Sequence, residues 1–307
     1  MLDIRPLSKK LQDDAKKNLN EVPERREEDV NHIKEWISKQ PHIHARTDDQ
    51  FLITFLRGCK FSLERTKEKL DAYYTFRTAL PEIFRNRDPF LPELQDILNT
   101  NMNMMLGTDS EGRYVWLLRM EDIDPSKHTV DNMLKVFFMV FEIIFLEHDE
   151  TTIYGENVIV DFAKSTLGHL ALWTPSVMMK IFAIWQDGYP GRPRGLNYIN
   201  LPSFFETLIN FIRSIIKEKL RKRLHVHPNL ESMYKHGMKG VLPKEYGGDN
   251  ESMDTLRRSL KKKLESYRDY FLDDDKYGVD ESRRPGKPKT KGDLFGIEGS
   301  FRQLRVD

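Results

Sequence analysis

A single cysteine, Cys59, leaves this chain without any internal disulfide and fits a reducing compartment. Bulk charge of either sign is missing too. Forty-nine Lys+Arg stand against 48 Asp+Glu, a net charge of +1, so the chain as a whole is no polyanion binder. Long apolar runs are absent. The greasiest stretch, Val136 to Leu146, is interrupted by Glu142 and is too short to span a bilayer. The opening residues, MLDIRPLSKKLQDD, are charged from the third position and hold no apolar signal core. A soluble, cytoplasmic protein is expected. No G-x-S-x-G elbow, G-x-G-x-x-G loop, P-loop or H-E-x-x-H occurs, which removes the enzyme classes built on those motifs.

What is present divides into two patterns. Residues 24–84 read as a helical N-terminal domain after an arm over 1–23. Val30, Ile33 and Ile37 repeat at helical spacing. Phe51, Leu52, Phe55 and Leu56 form a second stripe behind Thr47/Asp48, and a third helix runs from Ser62 to before Pro81. Residues 85–100, with Pro89 and Pro92, read as a linker ending in a short helix. From 101 to 250 short apolar runs alternate with longer helical ones. Strands are predicted at Met102–Leu106, Tyr114–Met120, Asn157–Phe162, Gly195–Leu201 and Leu224–His227, and helices over 129–147, 175–186 and 203–218. Asp109 to Gly112 is a turn, so the first two strands form a hairpin and the later ones pair in parallel. The fold class is α/β with a mixed sheet. A C-terminal helix over 251–272 and a charged tail over 273–307, extended or mobile, complete the reading.

The segment around residues 203–223 stands out. Phe204, Phe205, Leu208, Ile209, Phe211, Ile212, Ile215 and Ile216 fall on one contiguous arc of a helix, and Glu206, Asn210, Arg213, Ser214 and Lys217 fall on the other. Ser203 and Glu206 have the spacing of a capping box. Residues 213–223 then carry six Lys/Arg against one Glu, a local patch. A core helix with a solvated end accounts for this; so does a helix that meets an anionic membrane, where each cation contributes about 1 kcal/mol. Nucleic acid fits poorly, because the patch lacks stacking aromatics and no nucleic-acid module is recognisable. Ser165, His169 and Asp161 match a hydrolytic set in residue type only. His225 and His227 share one strand face without an identifiable third metal ligand, and His42 and His44 lie in an N-terminal turn.

Six ordered motifs carry a resemblance: FLITFLRGCKF at Phe51–Phe61, DSEGRYVWLLRM at Asp109–Met120, GENVIVD at Gly155–Asp161, DGYPGRPRGLNYINLP at Asp187–Pro202, EKLRKRLHVH at Glu218–His227 and VLPKEYGG at Val241–Gly248. Over about residues 25–270 the chain resembles the CRAL-TRIO family, whose members include cellular retinaldehyde-binding and α-tocopherol transfer proteins. The ending Asp293–Arg302 (DLFGIEGSFR) is similar to the tail of insect members. The resemblance implies a lipid-binding domain over 101–250, with a cavity closed by a mobile helical lid at 203–218. It implies no catalytic residue, and no cofactor or metal beyond the bound lipid. The implied cavity walls are Phe137, Phe141, Val160, Leu167, Trp173, Ile181, Ile184, Trp185, Tyr189 and Leu196, closed by Phe205, Leu208 and Phe211. The implied phosphoinositide patch is Arg192, Lys219 and Arg223. The implied activity is binding and transfer of a small hydrophobic lipid such as a retinoid, carotenoid or tocol. The other reading is a lipid-responsive interaction module acting through the tail on a protein partner that the sequence does not name. Tocopherol-transfer members carry serines where this chain has Phe137 and Phe141, and an arginine where it has Cys59.

Overall fold

The computed structural model describes residues 2–295. The central sheet consists of β1 (Asn103–Thr108), β2 (Tyr114–Arg119), β3 (Glu156–Asp161), β4 (Pro193–Ile199) and β5 (Leu224–His227), adjacent in chain order. The β1–β2 pair is antiparallel and the other three pairs are parallel, as the turn and the later strand–helix alternation predict. The hairpin turn is closed by Asp109, whose Oδ1 accepts the backbone N–H groups of Glu111 and Arg113 at 2.9 Å each. Alternation along the strands splits two cores. Val115 and Leu117 join Met104, Ile159 and Ile199 beneath Met233 and Leu242, whereas Trp116 and Leu118 join Val158, Leu196 and Tyr198 on the helical side.

The helices of seven residues or more are α1 (Lys9–Leu19), α2 (Arg26–Ser38), α3 (Asp49–Gly58), α4 (Leu63–Ala79), α5 (Pro92–Leu98), α6 (Val130–Glu147), α7 (Pro175–Ala183), α8 (Glu206–Ile215) and α9 (Met253–Ser266). Helix α6 is apolar nearly all round, which demands burial on every side. Its residues Met133 to Phe145, apart from Lys135, are buried between the sheet and the N-terminal helices. Among the described residues no helix is long and apolar enough to cross a membrane. The interruption at Glu142 has a clear use. Its Oε1 accepts from Arg77 at 2.7 Å, Arg87 at 2.9 Å and the Tyr189 hydroxyl at 2.8 Å. Both arginines also reach Asp274. Burial opposes the charge on Glu142, yet the two guanidinium groups hold its pKa down to about 2.

Two segments differ from expectation. The stretch read as an arm contains α1, capped by the Ser8 side chain and fastened by a hydrogen bond of 2.5 Å from the Tyr154 hydroxyl to Asp14. Its apolar stripe is thin, with Ala15 and Leu19 alone fully buried, so periodicity gave little signal. The segment from Asp274 to Phe295 is not loose. Gly278–Val279 pairs antiparallel with Ile43–His44, Arg284 meets Asp71 at 2.7 Å, and Phe295 packs its ring 5.8 Å from Phe76. Arg284, Lys289 and Asp274 pair with partners far away in sequence, which composition cannot reveal. Residues 296–302 of the tail motif lie outside the described residues.

Candidate functional site

One sheet face and three helices line an apolar cavity of about 100 Å³. Its floor is Trp116 and Leu118 of β2, Val158 and Val160 of β3, and Leu196 and Tyr198 of β4. Helix α6 contributes Leu134 and Phe137, while α7 and the turn after it contribute Met178, Ile181, Phe182 and Trp185. Met102, Met120, Phe162 and Trp173 fill the remaining walls, and Leu208 and Ile212 of α8 form the roof. The space is narrow. At that volume a bulky guest requires α8 or its neighbours to move outward.

Helix α8 follows a single 3₁₀ turn at Ser203–Phe205, and no side-chain cap forms at Ser203. The predicted capping box is therefore not made. The 3₁₀ turn instead drives Phe205 inward against Phe162, with ring centroids 4.8 Å apart. Phe205, Leu208, Ile209, Ile212 and Ile216 are buried beneath the helix, while Glu206, Asn210, Arg213 and Ser214 face solvent. The predicted helix over 203–218 breaks at Ile216 and Lys217, both extended, and a short turn at Glu218–Arg221 follows. This break is fastened from below. The Lys217 backbone N–H donates to Gln186 Oε1 at 2.8 Å, and its ammonium pairs with Asp187. Residues Ile184–Gly188 form a π-helical turn, whose end is held by Lys69 donating to the carbonyls of Gln186 at 3.0 Å and Tyr189 at 2.8 Å. The break after α8 and the N-terminal domain thus grip the same turn.

A cation cluster sits where β3, β4 and β5 begin. Arg192 donates to the carbonyls of Thr152 at 3.0 Å and Ile153 at 2.6 Å, Arg194 to Tyr154 at 2.7 Å, and Arg223 to Pro193. Gly155, at φ +105°, permits this approach, since a Cβ there would lie 2.3 Å from the Arg192 carbonyl. Lys219 is exposed beside them, and Lys60 is near enough to press on its charge. Among the described residues none of these five cations has a carboxylate ion-pair partner. Burial first, and then Arg194, bring Arg192 down to about 10, so it stays charged at neutral pH. Beneath the cluster Glu156 is fully buried, accepts the Arg192 backbone N–H at 2.9 Å, and is pushed up to about 7 by its burial.

The model of the CRAL/TRIO domain matches residues 98–248, and that of the Pinta-like UBA domain matches residues 22–94. The mouse protein Alpha-tocopherol transfer protein-like is 30% identical over 252 residues, 81% of this chain and 73% of that protein. The chain belongs to the CRAL/TRIO family. Human Clavesin-2 is 29% identical over 291 residues, covering 93% of this chain and 86% of its own length. A structure titled "Crystal structure of Sfh5" overlays with a TM-score of 0.43 at 14% identity, over 82% of this chain and 92% of that one, a likeness too loose to place side chains. The CRAL/TRIO family is lipid-binding and generally non-enzymatic.

Within this CRAL/TRIO domain the residues named from sequence divide. Phe137, Val160, Trp173, Ile181, Trp185, Leu196 and Leu208 border the cavity. The others lie elsewhere. Phe141 stacks on Trp116 at 5.1 Å and packs against Phe145 at 4.7 Å, inside an aromatic layer behind the wall. Tyr189 joins that layer and spends its hydroxyl on Glu142. Ile184 is fully buried away from the cavity, Phe205 is buried against Phe162, and Phe211 is half-buried on the flank of α8. Leu167 is 66% exposed. Arg192, Lys219 and Arg223 do come together. Arg194 belongs with them, and its position two residues after Arg192, on the same strand face, was the available signal. Cys59 is buried, its thiol directed to the Arg65 carbonyl.

Of the other sequence candidates, His169, Asp161 and His227 are committed to hydrogen bonds, whereas the buried Ser165 hydroxyl has no hydrogen-bond partner among the described residues. His169 Nδ1 accepts the Thr166 backbone N–H at 3.1 Å and its Nε2 meets the Ile123 carbonyl at 2.8 Å, while Asp161 receives Asn200 at 2.8 Å and the Tyr246 hydroxyl. His236 joins His225 and His227 with ring centroids 5.2–5.3 Å away. Both His227 nitrogens are hydrogen-bonded, to Ser232 and Asn197 at 3.0 Å, and no group among the described residues forms a metal cluster.

Proposed function

We propose that this protein carries one small hydrophobic lipid in the cavity beneath α8 and transfers it between membranes in the cytoplasm. The observation that carries this reading is an apolar cavity roofed by an amphipathic helix whose hinge leads to an unpaired cation cluster. Closed, the α8 face seals the guest from water; open, the same face is stabilised by a bilayer. Arg192, Lys219 and Arg223, joined by Arg194 and Lys60, would receive a phosphoinositide headgroup and bring α8 to the surface. Retinoids, carotenoids and tocols are the candidate guests. Phe137 lines the wall and Phe141 stacks behind it, so neither supplies the hydroxyl with which a serine would hold a chromanol.

The cleanest test spares the arginines, whose hydrogen bonds to strand-end carbonyls have structural roles. Lys219→Glu combined with Lys60→Glu removes two exposed cations. At about 1 kcal/mol for each cation lost, with the new carboxylates adding repulsion, binding to vesicles containing phosphatidylinositol bisphosphate should fall by at least about thirtyfold at low salt. The loss should shrink at high salt, where screening already removes most of the attraction. Co-sedimentation unchanged by the double reversal would reject the patch as a docking surface. A vesicle-to-vesicle transfer assay separates carriage from a lipid-responsive interaction module, which would bind its lipid without speeding exchange.

A further inference from the structure

The three arginines of the cation cluster are turned away from the carboxyl beneath them. Their guanidinium groups donate to backbone carbonyls, and among the described residues none forms an ion pair with Glu156. Glu156 opens β3 and has no exposed surface. Its Oε2 accepts the Arg192 backbone N–H at 2.9 Å, and its Oε1 has no hydrogen-bond partner among the described residues. Oε1 lies against the bare Cα of Gly191, where a Cβ would stand 2.7 Å from it and 3.0 Å from the Phe145 ring of α6. The Trp185 indole N–H, from the π-helical turn, is beside the carboxyl but closes no well-formed bond. Tyr114 of β2 and Pro193 of β4 flank it in register. Burial keeps Tyr114 neutral, and His148, stacked on Tyr114 at 4.4 Å, has its pKa lowered, first by burial. Full charges act on Glu156 from Arg192 and, from the residue before β5, Arg223. A buried carboxyl with one hydrogen bond and no ion pair in contact keeps its proton to far higher pH than one in water, and burial pushes Glu156 up to about 7.

Resting on the reading that this cluster docks on a polyanionic lipid headgroup, we propose that Glu156 is a proton-controlled counter-charge built into the docking site. Ionised, it cancels part of the field of Arg192 and Arg223 and repels an arriving phosphate. Protonated, it leaves the cluster its full charge. Docking therefore takes up a proton, and the linkage is reciprocal: the headgroup holds the proton on Glu156, and the proton holds the headgroup. The sign follows from this. Because the bound anion raises the affinity of Glu156 for its proton, docking strengthens as pH falls through the neutral range and weakens as pH rises. At an effective dielectric of about 20, one anionic charge about 10 Å from the carboxyl suffices for a coupling of about tenfold. The arginines keep their carbonyl partners in either state, so the charge of the site changes without any rearrangement of its backbone.

The test uses the full chain and myo-inositol hexasulfate, a polyanion whose sulfate esters keep their charge where phosphate monoesters titrate. Glu156→Gln fixes the neutral form. By isothermal titration calorimetry it should bind the probe about fivefold more tightly than wild type at pH 8, and equally at pH 6. On the wild type, the titration midpoint of the Glu156 carboxyl carbon in NMR spectra should rise by about one pH unit with the probe bound, a readout that needs no variant. The two proteins are then compared at each pH on vesicles containing phosphatidylinositol bisphosphate, where titration of the headgroup affects both alike, and the advantage of Glu156→Gln at pH 8 should reappear. Equal affinities of the two proteins at pH 8, or a midpoint unmoved by bound probe, overturn the inference while the docking reading stands. A coupling present with hexasulfate and absent on vesicles overturns lipid docking at this cluster and leaves the coupling, as a property of a soluble-polyanion site. Failure of both probe and vesicles to bind overturns both.

Discussion

Ile212→Asp puts a charge at the centre of the roof, and its effect follows from what α8 covers. Phe205, Leu208, Ile209, Ile212 and Ile216 are each at most 8% exposed. At about 1.5–3 kcal/mol per side chain, exposing all five in water costs roughly 8–15 kcal/mol, so opening without a membrane is rare and release is slow. Replacing Ile212 removes about 2 kcal/mol of that burial and adds at least about 2 kcal/mol for an unpaired carboxylate in an apolar site. The open population should rise by about three orders of magnitude. Phe211, one residue along, is only half-buried and borders no part of the cavity, so Phe211→Asp should speed release by less than about tenfold. Release of a bound fluorescent fatty probe into buffer, followed by stopped flow, measures both variants. Near-ultraviolet circular dichroism checks that the remaining aromatic core stays packed. If Ile212→Asp leaves the release rate unchanged, α8 is not the gate. If it unfolds the whole chain, α8 is a fixed part of the core and the lid mechanism fails.

Two further outcomes depend on buried carboxyls. Glu156 has its folded pKa raised from 4.5 to about 7, so folding favours its proton, and stability should decline as pH rises from about 4.5 through 7. Glu156→Gln should therefore raise the melting temperature more at pH 8 than at pH 5, by up to about 3 kcal/mol in stability; an equal change at both pH values would contradict this. Glu142 is the opposite case. Its folded pKa of about 2 lies below the ordinary 4.5, so its contribution is present above about 4.5 and is lost as pH falls toward 2. Glu142→Gln, which strands two buried guanidinium groups on Asp274 alone, should cost about 3–5 kcal/mol by urea unfolding at pH 7, and a loss under 1 kcal/mol would refute it.

The sheet was legible because its strands are short apolar runs bounded by turns and separated by helical patterns, although a run such as Tyr114–Leu118, apolar at every position, does not tell which side chains face which core. Helix α8 was legible because its apolar arc is continuous. The cavity wall was harder to read. Helix α6 is apolar on every face, so spacing could not say that Phe137 meets the cavity while Phe141 meets Trp116. Trp116 escaped notice as a floor residue because alternation assigns a face, not what lies above it. Tyr189 looked like a wall residue in a motif rich in aromatics, yet its hydroxyl is committed to Glu142, a pairing across 47 positions that no local pattern encodes. The cations were readable as a cluster, but their freedom from carboxylates is a three-dimensional fact. Acidic residues such as Glu218 and Asp187 are near in sequence and are bound to other lysines, Lys222 and Lys217.

The Arg77–Arg87–Glu142–Asp274 cluster also limits how this chain can be cut and recombined. Its two cations come from the N-terminal domain and the linker, and its two anions from α6 and the start of the tail. A fragment ending at residue 272, the boundary that composition suggests, would lose half of the negative charge that the arginines need. A chimera that took residues 1–100 from a relative would inherit the cations without any guarantee of matching anions. The pieces that look separable along the sequence share one charge balance, and they must be exchanged, deleted or redesigned together.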